Sequence, residues 1–237
     1  MSKDTPLVTN DDTILYVFSD IETDNIQSKY LLQIAAVTQD NKQFNEFINP
    51  FKSLPLSTTN FLGIYYYKSD LYRNGLKLRS KPIEEVLKLF MNWIEKLGKP
   101  VVLIFHNGLV FDAKVLSQKL VQHNVEIPKN LVSIGDTLPY FRRSLKPPLI
   151  ENHKLGTLAR YFNIEQSYAH DALSDTVTLK LICDKFMEQF KVDLAEILKH
   201  SQRKFIDYIT NQVSGTPLPK LNKPKKKLEV AVKAPTE

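Results

Sequence analysis

Residues 14–23 read Ile14-Leu-Tyr-Val-Phe-Ser-Asp-Ile-Glu-Thr23. An apolar run, Ile14 to Phe18, gives way at Ser19 to two carboxylates, Asp20 and Glu22, with one apolar residue between them. A short apolar run closed by polar residues is the pattern of a buried strand. Side chains alternate between faces along a strand, so Asp20 and Glu22 share a face, about 7 Å apart along the chain, and can aim at one point. Asp-x-Glu alone is commonly a strand exit or a helix cap, so its meaning depends on what the rest of the chain brings to it.

Outward from this strand the pattern is that of a layered α/β domain. Tyr30 to Val37 is a second apolar run, and Asp40-Asn41 makes a hairpin turn into Gln43–Ile48, where Phe44 and Ile48 share one face. Pro82 to Leu97 predicts a helix: a proline in the first turn, an apolar stripe through Val86, Phe90, Trp93 and Leu97, and Gly98 as the stop. Val101 to Phe105 reads as a fourth buried strand, Asp112 to His123 as a helix and Leu131 to Ile134 as a fifth strand. Further helices are expected over His153–Phe162, Asp171–Phe190 and Asp193–Asn211. Three hairpin-joined strands followed by alternating helix and strand predict a mixed five-stranded sheet flanked by helices. The expected divisions are an N-terminal extension (1–12), a main domain (13–190), a C-terminal helix packed on it (191–214) and a basic tail without periodicity (215–237).

Composition narrows the function. The 237 residues are 43% hydrophobic and 24% charged, the balance of an ordinary soluble globular domain. No apolar stretch approaches the ~18–20 residues of a membrane span, so no membrane partner is expected. The polar, acidic N-terminus lacks the features of a secretory signal. One cysteine, Cys183, excludes an internal disulfide framework and any multi-cysteine zinc site, which points to a reducing compartment, cytoplasm or nucleus. The net charge of +6 is concentrated in two places. The tail from Thr216 carries six lysines against two glutamates, and Phe51 to Lys81 carries Lys52, Lys68, Arg73, Lys77, Arg79 and Lys81 against Asp70 alone. Basic segments on a mildly acidic remainder suit a polyanionic partner, although a solvated loop and tail have the same composition. Lys223-Pro-Lys-Lys-Lys-Leu228 has the form of a basic nuclear-import signal.

Two further carboxylates stand at helix starts: Asp112 in His106-Asn-Gly-Leu-Val-Phe-Asp112, and Asp175 in His170-Asp-Ala-Leu-Ser-Asp175. Asp20, Glu22, Asp112 and Asp175 converging at strand ends would repel one another unless cations neutralise them. Oxygen donors without a cysteine suit Mg²⁺ or Mn²⁺, and a cluster of this size typically holds two ions about 3.5–4 Å apart, a clamp for phosphodiester displacement.

The ordered set of these motifs resembles the DEDDh family of 3′→5′ exonucleases, which includes polymerase proofreading subunits, ribonuclease T and the three-prime repair exonucleases. The matching segments are Asp20-Ile-Glu22-Thr23, His106-Asn107 with Phe111-Asp112, and His170 through Asp175. Gly135-Asp136-Thr137-Leu138 and His153 to Ile164 also resemble family segments, and the likeness runs from about Thr13 to Phe190. It implies a ribonuclease-H-like fold, two metal ions held by Asp20, Glu22, Asp112 and Asp175, and His170 as the general base toward the attacking water. It further implies release of nucleoside 5′-monophosphates from single-stranded or frayed 3′ ends of DNA or RNA. A histidine suits that role because its unperturbed pKa of about 6.5 lies near working pH. One departure is the turn after Thr23, where Asp24-Asn25 stands in place of the family's glycine-containing turn; an added carboxylate there would repel phosphate or alter base preference.

For substrate contacts the resemblance implies Thr23, His106, Asn107 and Phe111, which lie in the matching motifs. Tyr65 and Tyr66 are candidates because aromatics interleaved with lysines suit a single-strand binding surface. Arg142, Arg143 and Lys146 read as a solvated loop, and Cys183 as core. The alternative function is a nucleic-acid-binding or assembly module that keeps the fold without turnover. The residues leave the oligomeric state open, a homodimer included.

Overall fold

The computed structural model describes residues 14–25, 27–166 and 170–214. The N-terminal extension, the tail and its lysine cluster at 223–228 lie outside the described residues.

The central sheet is built on β1 (Leu15–Thr23). On one side β1 pairs antiparallel with β2 (Leu31–Thr38), which pairs with β3 (Gln43–Ile48). On the other side it pairs parallel with β8 (Val101–Phe105), which pairs parallel with β9 (Leu131–Asp136). These are the five expected strands in a mixed arrangement. Two-residue edge strands, β7 (Ser80–Lys81) on β3 and β10 (Arg203–Lys204) on β9, bring the sheet to seven. β2 stays paired with β1 through Thr23, so Asp20 and Glu22 close the strand within the ladder as expected, opposite Ala35 and Gln33.

Strand alternation sorts the interior into two layers. Val17, Leu103 and Ile134 pack with α2 (Ile83–Lys96), α3 (Asp112–Gln122) and α8 (Phe205–Ser214). Tyr16, Phe18, Val102 and Ile104 face α4 (Leu138–Ser144), α5 (Leu155–Tyr161), α6 (Ala172–Phe190) and α7 (Leu194–Leu198). Asp20 and Glu22 continue the parity of Tyr16 and Phe18, so they project on the α6 side. Cys183 lies fully buried in the packed face of α6, among Leu179, Ile182 and Phe186.

Three expectations are corrected. The stretch Asp193–Asn211 is not one helix: β10 interrupts it, pairing Arg203 and Lys204 with Ile134 and Ser133, and leaves the short α7 and the core-packed α8. Arg142 and Arg143 lie in α4, not a loop. The segment 51–81 is also no plain connection. It forms α1 (Leu56–Leu62) and a separate three-stranded sheet of β4 (Ile64–Tyr67), β5 (Asp70–Arg73) and β6 (Leu76–Leu78). Both turns of that sheet have positive φ at their two central residues, Lys68-Ser69 and Asn74-Gly75, the twist tight hairpins require. The sheet docks through Ile64 and Leu71 onto Leu32 of β2 and Leu62 of α1.

Candidate active site

β1 brings Asp20 and Glu22 to the α6 face, and α6 presents Asp175 in its first turn. The oxygen and nitrogen atoms of Glu22, His170 and Asp175 that could hold a metal lie within 4.8 Å of one another. Asp112 opens α3 directly beyond β8; its carboxylate accepts the backbone N–H of Ile21, which ties it to the middle of Asp20-Ile-Glu22. Four carboxylates from three distant segments thus share one neighbourhood.

Their ionisation reflects that crowding. Burial, then the charges of Asp112, Glu22 and Asp175, holds Asp20 well above the ordinary carboxylate value. Burial together with Asp175 pushes Glu22 up to about 8, against the opposing charge of Arg73. Burial pushes Asp112 up to about 7 in spite of its backbone hydrogen bonds. Asp175 is raised by burial as well, although it accepts hydrogen bonds from Gln166 Nε2 at 2.6 Å and His170 N–H at 3.1 Å. Buried carboxylates that cannot all ionise together are a donor set suited to a hard cation, and the chain's only thiol is buried among apolar residues of α6.

The loop leading to Asp112 is organised from below by Asp136, at the end of β9. Asp136 accepts the backbone N–H groups of Asn107 at 2.8 Å, Leu109 at 3.2 Å and Leu138 at 2.9 Å. Gly108 is needed there: a Cβ at this position would stand 2.2 Å from Cβ of Phe105. From α8, the fully buried Tyr208 donates its hydroxyl to the carbonyl of Leu109 at 2.6 Å.

The substrate-contact candidates divide. Thr23 and Phe111 line a cavity of about 770 Å³ beside Glu22, together with Phe61 and Leu62 of α1. His106 does not reach it. Its Nε2 donates to the carbonyl of His153 at 2.7 Å and its Nδ1 meets the Thr137 hydroxyl at 2.8 Å, while burial pushes its pKa down; it is an internal brace. Asn107 is exposed at the turn, with φ 65°. Tyr65 stacks on Tyr72 with ring centroids 5.3 Å apart, on the outward face of the small sheet, whereas Tyr66 lies opposite Leu71 on the packed face. Neither tyrosine lines the cavity. Among the cations of 51–81, Lys52, Arg73, Lys77 and Lys81 pair with Asp24, Asp171, Asp70 and Glu46.

Asp24 is turned inward. Only 5% exposed, it accepts the backbone N–H groups of Asn25 and Tyr30, each at 2.8 Å, and the Ser28 hydroxyl. The extra carboxylate therefore closes its own turn, at the lining of the cavity beside Glu22.

Sequence reasoning missed the parts that three side chains play at the site. Gln33, buried in β2, donates to Asn45 Oδ1 at 2.9 Å and Asp171 Oδ2 at 3.1 Å, and accepts the N–H of Ala172 at 3.2 Å. Arg73 reaches Asp171 and the carbonyl of His170. Phe61 lays its ring 4.0 Å from the imidazole of His170. In the sequence Arg73 reads only as a cation and Phe61 only as an aromatic of the basic segment 51–81, while the signal for Gln33 is a glutamine inside an apolar strand, because a buried amide must find partners.

A profile described as exonuclease, of the RNase T type, matches residues 17–182. The chain belongs to this exonuclease family. It is the family expected from the motifs. Among relatives, the chain is 28% identical over 196 residues to the chloroplastic/mitochondrial exonuclease DPD1 of Arabidopsis thaliana, an alignment covering 77% of this chain and 59% of that protein. It is 31% identical over 204 residues to the PolC-type DNA polymerase III of Streptococcus sanguinis, covering 84% of this chain and 12% of the polymerase. Among solved structures, a zinc-bound complex of Escherichia coli exonuclease I with single-stranded DNA superposes with a TM-score of 0.60 at 15% identity, covering 78% of this chain and 42% of the other. The shared fold is therefore that of exonuclease I, and this family member spans only part of the length of each of these three proteins.

Proposed function

We propose that the protein is a divalent-metal-dependent 3′→5′ exonuclease of DEDDh type that releases nucleoside 5′-monophosphates from single-stranded or frayed 3′ ends. The observation that carries this reading is the convergence of Asp20, Glu22, Asp112 and Asp175 beside His170, in a member of an exonuclease family. The four carboxylates hold two ions, Mg²⁺ or Mn²⁺, which supply charge neutralisation and Lewis acidity when bound. His170 accepts the proton of the attacking water at a ring nitrogen. Thr23, Phe61 and Phe111 receive the terminal nucleotide in the apolar cavity beside Glu22, and Tyr65, with Tyr72 behind it, offers a stacking surface to the strand further out. The relative solved with single-stranded DNA and zinc supports such a substrate and a divalent ion. On the same reading the protein works in the cytoplasm or nucleus.

Incubation of 5′-labelled single-stranded DNA and RNA with the protein and Mg²⁺ tests this. Stepwise shortening from the 3′ end is expected, abolished by EDTA and by Asp20→Asn, and the comparison of substrates reads the sugar preference. Oligonucleotides that are bound but left intact would favour the binding module instead.

A further inference from the structure

His170 is held from outside its own loop. Its backbone lies in the left-handed region at φ 63°, tolerated by histidine more than by most residues but maintained only where neighbours fix it. Its N–H is engaged with Asp175, and its imidazole is exposed. The contacts that fix the ring and the adjoining peptide come from the unit formed by α1 and the three-stranded sheet. Arg73, in β5, directs one guanidinium nitrogen to the Asp171 carboxylate and another to the carbonyl of His170. Its Nε donates to the carbonyl of Leu62 at 3.2 Å, at the end of the helix that also carries Phe61. Phe61 in turn places its ring centroid 4.0 Å from that of His170. Fork and ring therefore belong to one braced piece.

We propose that Arg73 and Phe61 are positioning residues for His170: the guanidinium pins the His170–Asp171 backbone at the head of α6, and the phenyl ring sets the attitude of the imidazole. This rests on the reading of His170 as general base. Asp171 is the point of purchase. It caps α6 by accepting the N–H of Ser174 at 3.0 Å and is gripped from the central sheet by Gln33 and from the small sheet by Arg73. Burial alone would raise its pKa, yet these donors and the charge of Arg73 keep it low, so the carboxylate stays ionised and the ion pair intact. An arginine is required because its planar fork serves a carboxylate and two carbonyls at once; a lysine is a single point of charge.

A displacement of about 1 Å in a reacting group lowers rates on the order of 100-fold. Arg73→Gln should therefore reduce kcat by roughly 10- to 100-fold with KM nearly unchanged, and Arg73→Lys should recover only part of the loss. Phe61→Ala should lower kcat and raise KM together, because the ring also lines the cavity; a change in KM alone would remove Phe61 from the proposal. In a His170→Ala background, Arg73→Gln should cost nothing more, whereas an additive loss would overturn the proposal and assign Arg73 another task. Hydrogen exchange reads the clamp without turnover. Arg73→Gln should accelerate amide exchange over 170–175 while β4 and β5 keep their protection, and unchanged exchange would overturn the clamp whether or not the wild type cleaves. A wild type that cleaves nothing while exchange responds as stated would sink the nuclease reading and leave the clamp standing.

Discussion

Glu22 and Asp112 keep their protons to about pH 8 and about pH 7 because burial penalises their anions and neighbouring carboxylates add to the penalty. Unfolded, the same groups titrate near 4.3 and 3.9. In the folded state both pKa values are raised, so between these limits the native chain binds protons that the unfolded chain has released. Stability is therefore fullest at low pH and is lost as pH rises through the folded values, by up to about 1.4 kcal/mol per pH unit for each retained proton. His106, whose pKa burial lowers, works in the opposite sense, but only below its unfolded value of about 6.5. The metal-free protein should accordingly lose melting temperature between about pH 6.5 and 8.5, less steeply in Asp20→Asn, and added Mg²⁺ should cancel the fall. A melting temperature flat over that range in EDTA would contradict the crowding of these carboxylates.

At the scale of elements, the turn from β8 into α3 is the least forgiving. Gly108→Ala forces a Cβ to within 2.2 Å of Phe105, in a loop whose N–H groups are spent on Asp136, so the backbone must move. A cost of about 1–3 kcal/mol is expected by chemical denaturation, with reduced nuclease activity because Asp112 follows four residues on. Wild-type stability in this variant would show that the loop has room to relax. The main strands and helices were legible because each follows a plain local pattern: β1 opens on an apolar run, α2 carries its stripe, and β8 is a continuous apolar run. The small sheet was legible in part and overlooked. Asn74-Gly75 between Leu71-Tyr-Arg and Leu76-Lys-Leu is a hairpin turn flanked by β-forming residues. What no local pattern carries is pairing across the chain. Arg73 finds Asp171 from 98 positions away, and Tyr208 finds Leu109 from 99. The break at β10 has the same cause, since β9 offered an edge that a helix-period reading of 193–211 does not see.

Taken whole, the molecule is a sheet covered on both faces, and α6 lies across β1 and β2 with one end in the acidic cluster and its middle deep in the second layer. The only sulfhydryl is in that middle, eight residues beyond Asp175, and burial holds it well above its ordinary pKa, in the unreactive protonated form. Alkylation by a maleimide must then wait until this helix lifts from its bed. The labelling rate becomes a chemical clock for undocking of the segment that bears Asp175. Slow modification of the native protein, quickened by mild denaturant, is expected. Prompt stoichiometric capture from the folded state would mean that the helix is far looser than its packing implies.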